Sequence, residues 1–218
     1  MKLLAVETSS PIFSVAVCDG SGVRAYHQVE GKGRPSALLT DLIQQGLGEA
    51  RLSLKDLDGF ALSVGPGSFT GLRVGVMTVK TLAWALKKPV LPVSSLEVIA
   101  RNVPPEARSV CAFLDARKGN VYTACFLRNE KGLLQRAGPD ELLRPEEALK
   151  KVEPSAQLIG DGLQRYAEVV ASAGLGGMDQ APAPLWVPRA DRLCEIAHSR
   201  WPAGIVDDPH SLVPQYLY

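Results

Sequence analysis

The sequence predicts an α/β fold in which a mixed sheet is flanked by helices. Three strand-like stretches follow one another, at Lys2–Val6, Phe13–Cys18 and Val23–Gln28, and the turn residues 19–22 join the second and third as an antiparallel hairpin. Helical and strand-like stretches then alternate up to residue 100, which is typical of parallel strands connected by helices. Together these patterns predict antiparallel and parallel pairing within one sheet.

The elements after the third strand follow from capping residues and apolar spacing. Ser36 can cap a first helix whose apolar positions recur at helical intervals, and Asp58–Val64 has the apolar character of a buried strand. A second helix is predicted over Leu72–Leu86 and a short strand over Val90–Val93. The pattern Ser94-Ser95-x-Glu97 predicts a third helix that opens with a capping box.

Prolines at 104 and 105 mark a boundary, so we predict an N-terminal subdomain over residues 1–102 and a smaller C-terminal subdomain over residues 103–218. The second subdomain begins with two strands and continues with three shorter helices; these are Ser109–Asp115, Val121–Leu127, Pro145–Lys151, Leu163–Ala173 and Asp191–Arg200. Residues 174–188 are predicted to form a surface connection. The apolar end at 213–218 is expected to dock on the fold.

Composition and charge favour a soluble globular protein. Of the 218 residues, 46% are hydrophobic and 22% are charged, which is an ordinary globular balance. The net charge of +1 does not indicate an autonomous nucleic-acid binder, since such proteins usually carry a basic excess. The sequence contains no stretch long and apolar enough for a membrane span and no secretory signal at its start, so we expect a cytoplasmic protein without membrane contact.

Cysteine and histidine usage argues against a metal site. The four cysteines lie far apart, without a C-x-x-C pair, and are predicted to be reduced thiols of a cytosolic protein; they are Cys18, Cys111, Cys125 and Cys194. The three histidines are isolated, so the H-x-x-x-H and H-E-x-x-H patterns are both absent. Because a metallopeptidase needs such ligands or a nucleophile with its base, that activity is excluded.

Residues 65–75, GPGSFTGLRVG, stand between a predicted strand and a predicted helix. Glycines in such a loop allow the backbone to approach a ligand or another backbone closely. Ser68 or Thr70 can cap the helix. The run is not a P-loop, because no Lys-Ser/Thr follows, and it lacks the G-x-G-x-x-G spacing of dinucleotide-binding loops.

The order of elements resembles one lobe of the actin, Hsp70 and sugar-kinase superfold, which is ribonuclease H-like. The turn Glu7-Thr8-Ser9-Ser10 after the first strand is part of this resemblance. The second lobe of this chain would be reduced. Five segments further resemble the TsaB (YeaZ) family in sequence and order: LLAVETSS, GPGSFTGLRVG, PVSSLEVIA, DARKGNVY and a terminal P-x-Y-L. The segments GPGSFTGLRVG and DARKGNVY are specific to the family. The matches span nearly the whole chain.

The resemblance implies a role in making threonylcarbamoyladenosine, which lies beside the anticodon of tRNAs that read codons starting with A. Members of this family, once labelled glycoproteases, resemble the paralogue TsaD, which carries the metal and transfers the threonylcarbamoyl group. They are non-catalytic, dimerise with TsaD and support recruitment of the ATPase TsaE, while TsaC supplies the activated substrate. The resemblance implies no cofactor in the isolated chain, ATP use by the wider complex, a homodimer when alone and at most a minor tRNA contact.

The turn after the first strand is the candidate nucleotide contact. In the superfold this turn meets phosphates, and hydroxyls of Thr8 and Ser9 with backbone amides of Gly65 and Gly67 could form a phosphate cradle beside Glu7. The competing interpretation is an inherited structural turn. A stand-alone ATPase or kinase that uses this turn is the alternative function.

The two helices that flank the fourth strand are the candidate partner interface. The resemblance implies pairing through them, and the predicted contact residues are Leu38, Leu42, Gly46, Leu72, Arg73, Gly75, Val76 and Val79. Packing against the protein's own sheet is the alternative for each. A cation in the first turn opposes the helix dipole, so Arg73 either has a carboxylate partner, at Glu7, Asp115 or across an interface, or remains solvated. Asp115–Arg117 is predicted to be a hairpin turn with a local ion pair.

Overall fold

The computed structural model describes residues 1–175, 179–201 and 208–217. They form two compact units: the described residues of 1–98 with those of 189–215, and the described residues of 99–188 with Tyr216 and Leu217. The division differs from the predicted one at residue 102, because the chain returns to the first unit at Arg189. The last helix therefore belongs to the first unit.

The first unit contains a five-stranded sheet with the order β3-β2-β1-β4-β5. The strands are β1 (Leu3–Glu7), β2 (Ile12–Asp19), β3 (Gly22–Glu30), β4 (Gly59–Gly65) and β5 (Val90–Ser94). Strands β1 to β3 pair antiparallel, whereas β4 pairs parallel with both β1 and β5. The predicted mixed sheet is confirmed.

Helices cover both faces of this sheet. Helix α1 (Pro35–Ala50) and helix α2 (Phe69–Leu86) share one apolar core with the β1 residues Leu4 and Val6. Leu3 and Ala5 point to the other face, where they pack in a second core with α7 (Ala190–Arg200). Alternate residues of a strand point to opposite faces, so β1 contributes to both cores.

The predicted helix starts agree with the structure only in part. Helix α1 begins at Pro35 rather than after a Ser36 cap, because the fixed φ of proline suits the first helical position. The predicted opening of α3 (Ser95–Ala100) is present in part: the Ser94 hydroxyl accepts a hydrogen bond from the Leu96 amide at 3.2 Å, while the buried Glu97 carboxylate pairs with Arg200 of α7. Helix α2 starts earlier than predicted, and the Ser68 cap is confirmed, since its hydroxyl accepts a hydrogen bond from the Gly71 amide at 3.3 Å.

The second unit contains β6 (Ser109–Arg117), β7 (Asn120–Arg128), β8 (Leu134–Arg136), β9 (Glu141–Leu143) and β10 (Gln157–Ile159), in the order β10-β6-β7-β8 with β9 also on β7. Helix α4 (Pro145–Leu149) agrees with the prediction. The helix predicted over 163–173 is instead α5 (Gly162–Arg165), α6 (Ala167–Val170) and one π turn. Tyr166 interrupts α5 and α6 with a non-helical backbone, at φ −118° and ψ 35°.

The prediction of four reduced thiols is wrong for one pair. Cys111 and Cys125 lie directly opposite each other in the β6–β7 ladder and form a disulfide, with their Cα atoms 4.1 Å apart. The two cysteines are 14 residues apart in the sequence, and the β6–β7 hairpin brings them together. Cys18 and Cys194 are buried free thiols.

Residues 210–215, near the end of the described chain, dock on the first unit. The Gln215 amide donates to the Val64 carbonyl at 2.7 Å, and the Lys80 ammonium donates to the carbonyls of His210 and Leu212 at 3.0 and 3.1 Å. Tyr218 lies outside the described residues. Among the described helices, none combines the length and the apolar character that crossing a membrane requires.

Candidate functional site

The turn that follows β1 is buried. Glu7 and Thr8 have no exposed surface and Ser9 is 4% exposed. The Ser9 amide donates to Glu7 Oε1 at 2.6 Å, which closes the turn. Burial raises the pKa of the Glu7 carboxyl, and hydrogen bonding from Ser9 opposes this shift without cancelling it. The carboxyl is therefore biased toward its neutral form.

The glycine run lies directly against this turn. The Ser68 amide donates to the Ser9 carbonyl at 2.7 Å, so the start of α2 is bonded to the turn. A Cβ added at Gly67, Gly71 or Gly75 would fall within 3.0 Å of an oxygen of Ser9 or Thr8. Only glycine allows α2 to begin this close to the β1 turn.

Gly65 serves a different contact. Its φ of +116° disfavours other residues, and a Cβ there would approach the Gln215 carbonyl oxygen to 2.7 Å. This glycine therefore makes room for the docked end of the chain. Of the five residues predicted to contact a phosphate, four lie in the packed turn and at the helix start, and Gly65 contacts the C-terminal segment.

Three polar atoms of the turn have no hydrogen-bond partner among the described residues: Glu7 Oε2, Thr8 Oγ1 and Ser9 Oγ. Unpaired buried polar atoms cost free energy, so the packed turn carries an energetic cost. Within the described ranges, no three His, Cys, Asp or Glu side chains are grouped as metal ligands would be.

Most of the predicted interface residues point inward, which corrects the predicted contact face. Buried side chains cannot contact a partner without unfolding the core that they fill. Six of the eight are buried in the first unit; they are Leu42, Gly46, Leu72, Gly75, Val76 and Val79. Leu38 is half-buried and Arg73 is exposed.

A second stripe on α2 faces solvent and was missed by the sequence analysis. Phe69, Met77 and Trp84 are 54%, 61% and 63% exposed, and we call these three residues with Arg73 the α2 stripe. The Arg73 guanidinium lies over the Phe69 ring, 3.8 Å from its centroid, in a cation–π contact. The sequence did contain a signal for this stripe, because apolar residues occur on nearly every side of the α2 helix.

In the second unit, the DARKGNVY segment forms the β6–β7 turn. Asp115 Oδ1 accepts a hydrogen bond from the Arg117 backbone amide at 2.9 Å and from the Tyr166 hydroxyl at 3.2 Å. The predicted hairpin turn is therefore present. Within it, the Asp115 carboxylate accepts a hydrogen bond from the backbone of Arg117, whereas the prediction was a local ion pair.

Comparison with known proteins identifies the family. Residues 34–175 match the family model for TsaD, tRNA N6-adenosine threonylcarbamoyltransferase. A Bacillus subtilis protein named tRNA threonylcarbamoyladenosine biosynthesis protein TsaB is 31% identical over all of this chain and 94% of its own length. This chain belongs to the TsaB (YeaZ) family. The Escherichia coli protein of the same name is 28% identical over all of this chain and 94% of its own length.

Solved structures agree with this assignment. YeaZ from Pseudomonas aeruginosa superimposes with a TM-score of 0.85 at 29% identity, over 99% of this chain and all of that one. A P. aeruginosa protein described as similar to peptidase YeaZ gives a TM-score of 0.88 at 29% identity, over all of this chain and 99% of that one. The family resemblance and the α/β fold predicted from the sequence are confirmed.

Proposed function

We propose that this chain is a non-catalytic subunit of the machinery that makes threonylcarbamoyladenosine in tRNA, and that it binds a TsaD-like partner through the α2 stripe. The names of its relatives support the pathway. The observation that carries the binding role is the exposed apolar face of α2.

The α2 stripe has the geometry of a helical contact surface. At about 100° per residue, Phe69, Arg73, Met77 and Trp84 lie within an arc of about 80°, and they extend along about 22 Å of the helix. Exposed aromatic and methionine side chains in water forgo the free energy of burial, and these residue types with arginine are enriched at interfaces. A partner helix laid along α2 would cover all four.

The β1 turn supports a binding role over catalysis. A stand-alone ATPase or kinase of this fold would need Glu7, Thr8 and Ser9 to meet phosphates, yet these residues are buried beneath the start of α2. We interpret the turn as inherited from a nucleotide-binding ancestor and retained as the support of α2.

The proposal extends to the wider assembly. The chain would form a heterodimer with TsaD in the cytoplasm and support recruitment of TsaE, whose ATPase activity serves the complex. TsaC would supply the activated substrate to that complex. Alone, it would pair with a second copy through the same α2 stripe. With a net charge of +1 it would make at most a minor contact with tRNA.

Depletion of the protein tests the pathway. Nucleoside mass spectrometry of bulk tRNA should show loss of threonylcarbamoyladenosine, and re-expression of the chain should restore it. Undiminished modified nucleoside after depletion would refute the proposal. The ATPase alternative is tested with purified protein: we expect no ATP turnover by the chain alone and stimulated turnover only with TsaD and TsaE present.

A further inference from the structure

The second unit carries a disulfide in the wall of a cavity. A cavity of about 370 Å³ lies over β6 and β7, and Cys111 and Cys125 are both among its lining residues. Cys111 is 1% exposed, whereas Cys125 is only half-buried. The exposed rim residues Leu127, Lys151 and Glu153 open the cavity to solvent. A small molecule that enters therefore reaches Cys125 before Cys111.

We propose that Cys125 is a site of modification by low-molecular-weight thiols through thiol–disulfide exchange. The thiolate sulfur of the incoming molecule attacks Cys125 Sγ, and a new S–S bond forms as the Cys111–Cys125 bond breaks. Cys111 leaves with the electron pair and takes a proton from water. One disulfide replaces another, so no oxidant or reductant is required beyond the thiol itself.

The rim of the cavity indicates which thiols fit. Glu141 and Glu153 contribute two carboxylates and Lys151 one ammonium, so these three groups carry a net negative charge. Lys151 Nζ lies 2.6 Å from Glu141 Oε1, and within the part of the chain that the structure describes Glu153 has no ion pair. A cationic aminothiol such as cysteamine is therefore favoured over an anionic thiol such as glutathione.

The exchange itself is tested on the full-length oxidised protein. Cysteamine is added, free thiols are blocked with N-ethylmaleimide, and peptides are mapped by mass spectrometry. We expect cysteamine on Cys125 and a free thiol, without cysteamine, at Cys111. Adducts on Cys111, or none on either residue, would overturn the proposal. Cys18 and Cys194, which are buried in the first unit, should be unmodified and report that the protein stayed folded.

The charge preference is tested with Cys111→Ser, in which Cys125 is an unpaired thiol that reacts with disulfides; the reaction at Cys125 is followed by peptide mapping, because Cys18 and Cys194 are also thiols. Its rate with cystamine is compared with its rate with oxidised glutathione, and each rate is normalised to the same variant unfolded in urea. We expect cystamine to be favoured by about threefold to tenfold, because unit charges a few ångströms apart interact modestly in water. Adding Glu153→Gln should remove most of this preference.

Two outcomes contradict the proposal. Protection of Cys125 from both reagents in the folded variant would show that the cavity does not admit them. A cystamine preference that survives Glu153→Gln would show that the rim does not select the thiol. Cys111→Ala serves as a second background if the serine variant folds poorly. Neither assay depends on the proposed role in tRNA modification.

Discussion

The glycine run shows how single residues fix the position of a helix. Gly71 faces the Thr8 carbonyl, and Gly75 faces the Thr8 hydroxyl, so two successive turns of α2 touch one residue of the β1 turn. The sequence indicated a close approach of backbone at these glycines. It did not identify Thr8 as the neighbour, because the contact depends on β1 and β4 pairing side by side.

Substituting Gly71 tests this contact. In Gly71→Ala the new methyl group would overlap a backbone carbonyl that cannot rotate away, so we expect a loss of about 1–3 kcal/mol in the free energy of unfolding. Gly48→Ala is the matched control, because this helical glycine of α1 has no atom within 4 Å of an added Cβ. The control should gain about 0.5–1 kcal/mol from helix propensity. Urea denaturation measures both, and equal effects would contradict the packing role.

Glu7 should make stability depend on pH. Its raised pKa means that the folded protein holds this proton more tightly than the unfolded chain does. The contribution of Glu7 is therefore greatest below its ordinary value of 4.5 and falls as the pH rises from there through the raised pKa. The Glu7→Gln protein does not lose stability in this way. Its free energy of unfolding relative to wild type should therefore increase as the pH rises from 4.5 through the raised pKa.

Denaturant midpoints measured from about pH 4 to about pH 8 test this expectation. Asp161, whose pKa is also raised by burial, contributes equally to both proteins and cancels in the difference. A difference between Glu7→Gln and wild type that does not change with pH would contradict a perturbed carboxyl at this position.

At the scale of elements, α2 explains why the interface prediction included buried residues. Leu72, Val76 and Val79 form one apolar stripe, and Phe69 and Met77 belong to another. Helical periodicity finds both stripes but does not determine which one faces the sheet. The decision depends on the hydrogen bond from the Ser68 amide to the Ser9 carbonyl, which is a tertiary contact.

The α2 stripe gives a direct test of partner binding. Met77→Glu and Trp84→Glu place charges on an apolar face without touching the core, so folding should be retained. We expect each to weaken binding to purified TsaD by about 30-fold or more, which is the effect of a hot-spot residue. Val23→Glu is the control, because Val23 is an apolar residue of β3 in the same unit and is 44% exposed.

Calorimetric titration measures the three affinities. If both α2 variants bind as tightly as Val23→Glu, the partner contacts another surface and the proposed contact face is wrong. If the variants also fail to pair with themselves at high concentration, the same face serves the homodimer.

At the scale of the molecule, the sequence predicted the sheet of the first unit better than its boundary. Strands β1 to β3 follow one another as antiparallel neighbours, and α1 and α2 lead into β4 and β5, so local patterns of strands, turns and helices reveal the order of the elements. Helix α7 packs on the same sheet from the far end of the chain, against Leu3 and Ala5. Nothing in its own periodicity identifies that partner, and so the predicted division at residue 102 separated the helix from its core.

Fragments of the chain test the boundary. A fragment of residues 1–102 lacks α7 and leaves one apolar face of the sheet uncovered, so we expect it to aggregate or to unfold without a cooperative transition. Residues 1–98 joined through a flexible Gly/Ser linker to 189–217 contain the whole first unit and should unfold cooperatively in urea. Ile196→Asp in the joined fragment places a charge in the core that α7 shares with the sheet and should restore the behaviour of the short fragment. A cooperative transition of residues 1–102 at the same midpoint as the joined fragment would show that α7 is dispensable, and that the predicted boundary describes an independently folding unit.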